Sequence, residues 1–382
     1  MKKISSRQLT IVYCIYSFSI KFLVLPQLLS QSAGRDAWIS ALIGTILELA
    51  VLFIALTVLT KNQNSDIYSS LRRTTRWFGA KVVMTGMLVI FLIQIFILTS
   101  QAFSLLNDNM FERIPVYFFS IPMLLLGVFF CFMPVRALFR SGEIFFIFIV
   151  IGIALSVFPA IGQINPGEVL PILGNGIGSI LGGFYLNLIY FESAFLLLMF
   201  SGNVKIEKHF RKNFMAMAAV LGVFFVFFVF MFYSLFGPLS PHKNLAISNL
   251  TLYSSFITQN GRLDWVLVTI WLLLLLLRFG ITFYCAFSCL QYLTNVKHRA
   301  GYLSISLAVF VFCISTFVLS SQRIINNFIG TIPWLIVILY VAIPVFIYIN
   351  SFLTRSQRPV KGCPVQKYNK EMKDEMEGHN HV

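Results

Sequence analysis

Long apolar runs separated by short polar clusters make up almost the whole chain. A helix needs about 20 apolar residues to cross the hydrocarbon core of a bilayer. Ten segments qualify, near residues 8–31, 37–60, 80–106, 114–134, 142–163, 176–201, 213–236, 265–294, 300–320 and 327–351. The pattern predicts an all-α polytopic membrane protein with ten transmembrane helices and no soluble domain between them. Residues 1–351 form one transmembrane domain. Residues 352–382, ending in "KYNKEMKDEMEGHNHV", have mixed charge and read as a disordered tail. In the longest connection, 237–264, "NLAISNLTLYSSFITQNGRLDW" predicts a short amphipathic helix lying on the surface.

Composition agrees with the pattern. The chain is 58% hydrophobic and 11% charged, with a mean hydropathy of +0.83. A soluble domain is about 25% charged, so too little polar surface exists here to cover a water-soluble globule. The first apolar run lacks a small-residue cleavage site and is longer than the roughly 7–15 residues of a signal core, so it reads as a retained helix. Five of the six cysteines lie in or beside apolar runs, where a free thiol behaves as a small hydrophobe. No metal site and no cofactor are expected.

Charge sets the orientation. Cytoplasmic loops retain lysine and arginine. With the N-terminus inside, 22 of the 29 basic residues fall on cytoplasmic segments, five on the opposite side and two, Lys21 and Arg278, within spans. Both termini are therefore expected in the cytoplasm. The net charge of +15 follows from the same rule and from anionic lipid, so no nucleic-acid partner is implied.

Four ionisable residues fall inside the hydrocarbon: Lys21 in span 1, Glu48 in span 2, Glu192 in span 6 and Arg278 in span 8. All four lie near the midpoints of their spans, within roughly 5 Å of one plane at 1.5 Å per residue. A charge there costs about 2.5–3.5 kcal/mol. Mutual pairing inside the bundle, or contact with a water-filled cavity, lowers that cost, and two basic and two acidic groups can form a neutral set. An amine buried without a partner can shed its proton, whereas a guanidinium stays charged. Lys21 is thus the candidate proton-responsive group, and Lys21–Glu192 is one expected pair. As structural ion pairs, the same groups would only lock helices together.

The backbone around two of these charges is weak. Pro26 removes a hydrogen bond to the carbonyl of Phe22. Span 6 opens "GNGIGSILGGFYLNLIYFES", in which glycines precede Asn187 and Glu192; each costs a helix about 1 kcal/mol relative to alanine. Interrupted apolar segments at corresponding positions of two halves point to a binding site of transporter type, and spans 1 and 6 correspond in a five-plus-five arrangement (8–163 and 176–320, completed by 327–351). The expected ligand-lining residues are Ser17, Ser19, Ile20, Lys21, Phe22, Asn187, Tyr190, Glu192 and Ser193. Gln94, Gln101, Arg278 and Thr282 of spans 3 and 8 are secondary candidates. Taken singly, each polar residue here is more often a helix-packing hydrogen bonder.

"ISSRQL" (4–9), "AGRDAWIS" (33–40), "YFESAFLLLMFSGNVK" (190–205) and "LYSSFITQNGRLDWVLVTIWL" (252–272) together resemble the endospore germination permease family. These are the B subunits of Ger-type nutrient germinant receptors, relatives of amino acid–polyamine–organocation transporters. The resemblance runs from about residue 4 to 352. It implies a LeuT-like fold of two inverted repeats with discontinuous helices 1 and 6, and a small-molecule site between them flanked by helices 3 and 8. It also implies A and C subunit partners in the inner membrane of a spore, and a role in sensing a nutrient, typically an amino acid. The chain departs from the transporter pattern at the helix 1 break, where Ser19-Ile20-Lys21-Phe22 stands in place of small residues. Lys21 there can replace a coupling cation, bind a ligand carboxylate, or neutralise Glu192.

Three functions fit these residues: a receptor subunit, a proton-coupled transporter of amino acids or amines, and a scaffold with a closed pocket. An enzyme is not expected, since no phosphate loop, zinc spacing or nucleophile–histidine pair sits at membrane depth.

Overall fold

The computed structural model describes residues 4–61, 67–109, 115–190, 193–243, 245–253, 263–294, 300–319 and 339–349. Among them the chain is almost wholly helical. The sequence of helices is α1 (Ser6–Lys21), α2 (Leu25–Ala33), α3 (Ala37–Lys61), α4 (Ile67–Asn109), α5 (Val116–Phe132), α6 (Val135–Ile161), α7 (Gly176–Leu188), α8 (Ser193–Met199), α9 (Phe210–Phe236), α10 (Ala246–Tyr253), α11 (Leu263–Thr294), α12 (Ala300–Leu319) and α13 (Leu339–Ile349). Six described segments are long and apolar enough to cross a membrane, and three shorter apolar helices match predicted spans 4, 9 and 10.

The first predicted span is two helices. α1 starts with a reciprocal cap: Gln8 N–H donates to the Ser5 hydroxyl, and Ser5 N–H donates to the Gln8 side chain, both at 3.2 Å. This satisfies two amides that a helix N-terminus leaves open. Phe22–Val24 form a turn, and α2 follows with Pro26 in its first turn, where the missing N–H of proline costs nothing. The proline thus marks the start of the second half-helix.

The sixth predicted span is also divided, into α7 and α8. The glycine-rich stretch remains helical as α7, and the division falls after Leu188. Two of the glycines serve packing instead. A Cβ at Gly183 would lie 2.7 Å from the Ser40 hydroxyl of α3, and one at Gly182 would lie 2.7 Å from the Ser32 hydroxyl of α2. Small residues let α7 approach both helices closely, and Ser40 donates to the Ile180 carbonyl at 2.8 Å.

The two broken helices are joined at each end. On the N-terminal side, β1 (Ile4–Ser5) pairs in parallel with β2 (Val204–Lys205), and the Ser6 hydroxyl donates to the Lys205 carbonyl at 2.7 Å. At the opposite end the fully buried Asp36 carboxylate accepts from the amides of Leu173 and Asn175, at 2.8 and 3.2 Å.

One expectation changes. The segment around 246–253 is helical, but Ala246, Ile247, Ser248 and Leu250 of α10 are buried rather than lying on the surface. The Ala246 amide donates to the Leu23 carbonyl at 2.6 Å, so α10 caps a carbonyl that the break in helix 1 exposes. Predicted span 3 matches the apolar stretch Trp77–Asn107, but the helix that carries it, α4, begins earlier and runs for 43 residues, about 65 Å.

Candidate functional site

The site is built where α1 ends and α8 begins. Lys21 closes α1, and its ammonium forms an ion pair with Oε2 of Glu48 on α3. The other carboxylate oxygen, Oε1, accepts from the Ser193 hydroxyl at 3.0 Å, at the first residue of α8. One carboxylate therefore ties together both broken helices. Lys21 and Glu48 are 5% and 7% exposed, so the pair is buried. Glu192, expected as a partner of Lys21, lies outside the described residues. Among the described residues, Glu48 is an acid paired with Lys21.

Arg278 of α11 fills the other side of the same region and is 1% exposed. Its Nη1 donates to the Tyr16 carbonyl and, at 3.3 Å, to the Ser19 hydroxyl. Its guanidinium carbon stands 4.4 Å from the centre of the Tyr16 ring, a cation–π contact. The Tyr16 hydroxyl shares a 3.1 Å hydrogen bond with Thr282, whose own hydroxyl donates to the Arg278 carbonyl. Arg278 and Thr282 are thus fastened one turn apart to the last turns of α1.

Gln94 of α4 serves the second break. Its amide nitrogen donates to the Ile189 carbonyl and to the Tyr340 hydroxyl of α13, both at 3.0 Å. Ile189 follows the last residue of α7, so this donor satisfies a carbonyl released where the helix stops. Tyr190 and Asn187 are buried at the same break, and the Asn187 amide nitrogen has no hydrogen-bond partner among the described residues. The Asn187 side chain lies against Gly44 of α3, in the space a Cβ there would need.

The remaining candidates divide. Ser17 and Phe22 line a cavity of about 10 Å³ beside Lys21 and Glu48, about the room one water requires. Phe22 also stacks on Phe18 at 3.9 Å between ring centres and meets Phe228 of α9 at 5.1 Å, filling the break with aromatic surface. Ile20 is fully buried. Gln101 is half-buried two turns beyond Gln94 and makes no described hydrogen bond. The reading from sequence missed Tyr16 and Tyr340. A tyrosine inside an apolar span whose hydroxyl needs a partner is the signal that marks both.

The chain matches, over residues 3–323, the family described as spore germination protein. It is 23% identical over 228 residues to spore germination protein KB of Bacillus subtilis (strain 168), an alignment covering 58% of this chain and 60% of that relative. Its fold is similar to that of MhsT, solved in complex with L-phenylalanine, with a TM-score of 0.56 and 13% identity over 93% of this chain and 100% of the other. It is also similar to Mhp1, a nucleobase-cation-symport-1 family transporter solved in a closed conformation with bromovinylhydantoin bound. There the TM-score is 0.52, at 12% identity over 92% of this chain and 90% of the other. These likenesses establish a LeuT-type transporter fold, with the two divided helices in the positions of the first and sixth spans.

Proposed function

We propose that this chain, which belongs to the spore germination protein family, is the nutrient-sensing subunit of a germinant receptor. Its ligand is a small zwitterion, typically an amino acid, bound at mid-membrane between the halves of helices 1 and 6. One observation carries the reading: the Glu48 carboxylate holds Lys21 of α1 and Ser193 of α8 together, beside a cavity no larger than a water. A ligand carboxylate that takes the Lys21 ammonium, or a ligand ammonium that takes Glu48, must displace these internal partners. Ligand-free and ligand-bound bundles then differ in how the four half-helices are tied. A ligand shifts a conformational equilibrium only through such differential contacts. Partner A and C subunits in the spore inner membrane read the shift, with both termini of this chain cytoplasmic. The loop distribution of lysine and arginine supports that orientation.

Spores carrying Lys21→Met are expected to lose or retune the nutrient response while retaining the protein in the membrane. An unchanged dose response would make the lysine purely structural. A second reading, a proton-coupled transporter of amino acids or amines, is favoured by the likeness to a cation-symport family transporter. Vesicles containing only this chain separate the two, because robust uptake of labelled amino acid without other subunits contradicts a receptor-only role.

A further inference from the structure

A second cavity, of about 780 Å³, lies between the first turns of α1, α6 and the first turns of α9. It falls within the size range of ligand sites and is distinct from the water-sized space beside Lys21. Its lining is graded in the same sense on all three helices. On α1, Arg7 precedes Ile11; on α6, Glu143 precedes Phe146 and Ile147; Lys208 and His209, just before α9, precede Met217 on it. The charged ends meet at the N-terminal side of the bundle and the apolar parts continue toward the membrane interior. The surface beside the cavity is strongly exposed and apolar, with Ile144 and Ile147 each 62% exposed and Val220 64%. That surface suits lipid.

We infer that this cavity seats one anionic phospholipid from the leaflet on the N-terminal side. The phosphate meets Arg7 and Lys208, and an acyl chain follows Ile11, Phe146, Ile147 and Met217. Two carboxylates, Glu143 and Glu207, also line the cavity. Glu143 is engaged by the Gln8 amide at 3.1 Å, and Lys205 and Lys212, exposed and close in sequence to the lining residues Glu207 and Asn213, add positive charge against Glu207. Basic pockets between transmembrane helices on the cytoplasmic side suit such headgroups, and that side is the cytoplasmic one under the orientation proposed above. A lipid in this place braces the inner half of helix 1 against α6 and α9, next to the β1–β2 pairing.

The test uses the purified full chain in detergent, titrated with dioleoylphosphatidylglycerol or dioleoylphosphatidylcholine and followed by native mass spectrometry. One phosphatidylglycerol is expected to be retained in preference to phosphatidylcholine. Arg7→Gln with Lys208→Gln should weaken its binding about thirtyfold, Met217→Trp should reduce binding of both lipids by filling the apolar part, and Lys81→Gln, elsewhere on the chain, should change nothing. Equal binding of the two lipids, or an Arg7→Gln/Lys208→Gln variant that keeps full affinity, overturns the inference. So does a cavity left open to lipid-free labelling of Met217→Cys until a partner protein is added, which would make a protein segment the occupant.

Discussion

Lys21 and Glu48 meet where helix 1 is interrupted, and the carboxylate that neutralises the lysine also accepts from Ser193, at the start of the second half of helix 6. The relationship joins three helices at one anion. Each of its members can be removed separately, and the consequences differ.

Loss of Lys21 strands Glu48. Removing one partner of a buried pair costs about 3–5 kcal/mol, so Lys21→Met should lower the unfolding midpoint of the solubilised chain markedly. Adding Glu48→Gln removes the stranded charge, and the double variant should be less destabilised than the two single changes summed. Strict additivity in thermal unfolding would show that the two side chains do not interact.

Ser193→Ala removes one hydrogen bond to a charged acceptor, worth about 1.5–3 kcal/mol. Because Glu48 keeps Lys21, the fold should survive, while the tie to α8 is lost. Faster hydrogen exchange confined to 193–199 is expected. Protection equal to that of the parent would mean that the serine does not hold α8.

Gln94→Leu leaves the Ile189 carbonyl buried without its donor, a penalty of about 1–3 kcal/mol. The effect should concentrate at the α7–α8 break and reach α13 through Tyr340. Unaltered exchange at residues 186–190 would count against Gln94 as the cap of that break.

Arg278→Lys preserves charge but loses the planar fork and the stacking on Tyr16. It should impair the nutrient response nearly as much as Arg278→Gln. A lysine variant with a parental dose response would reduce the role of Arg278 to its charge alone.

Gly44→Ala places a methyl where the Asn187 side chain now lies. Overpacking of this kind costs about 1–3 kcal/mol. Relief by a second change, Asn187→Ala, measured as recovery of the unfolding midpoint, would confirm the contact; no recovery would refute it.

Much of this molecule could be read along the chain. Burial in lipid is set by local apolar content, so the spans, and the presence of charges among them, follow from composition within about 20 residues. The break in helix 1 was legible for a similar reason, because the constraint Pro26 imposes acts on its own backbone. The break in helix 6 was only half legible. The glycines suggested it, yet Gly182 and Gly183 pack against Ser32 and Ser40 within an unbroken α7, and the interruption falls where Gln94 supplies a donor to the Ile189 carbonyl.

What the chain alone determined was the class of the protein and the need for its buried charges to find partners, because the cost of an ion in hydrocarbon depends on its immediate surroundings. Which partners they found was decided only in three dimensions. The contact of Lys21 with Glu48, the docking of Arg278 on Tyr16 and the closing of the central cavity to the size of a water all depend on how each helix is rotated about its axis against the others. That rotation is set by packing among residues far apart in sequence, and no short stretch of the chain encodes it.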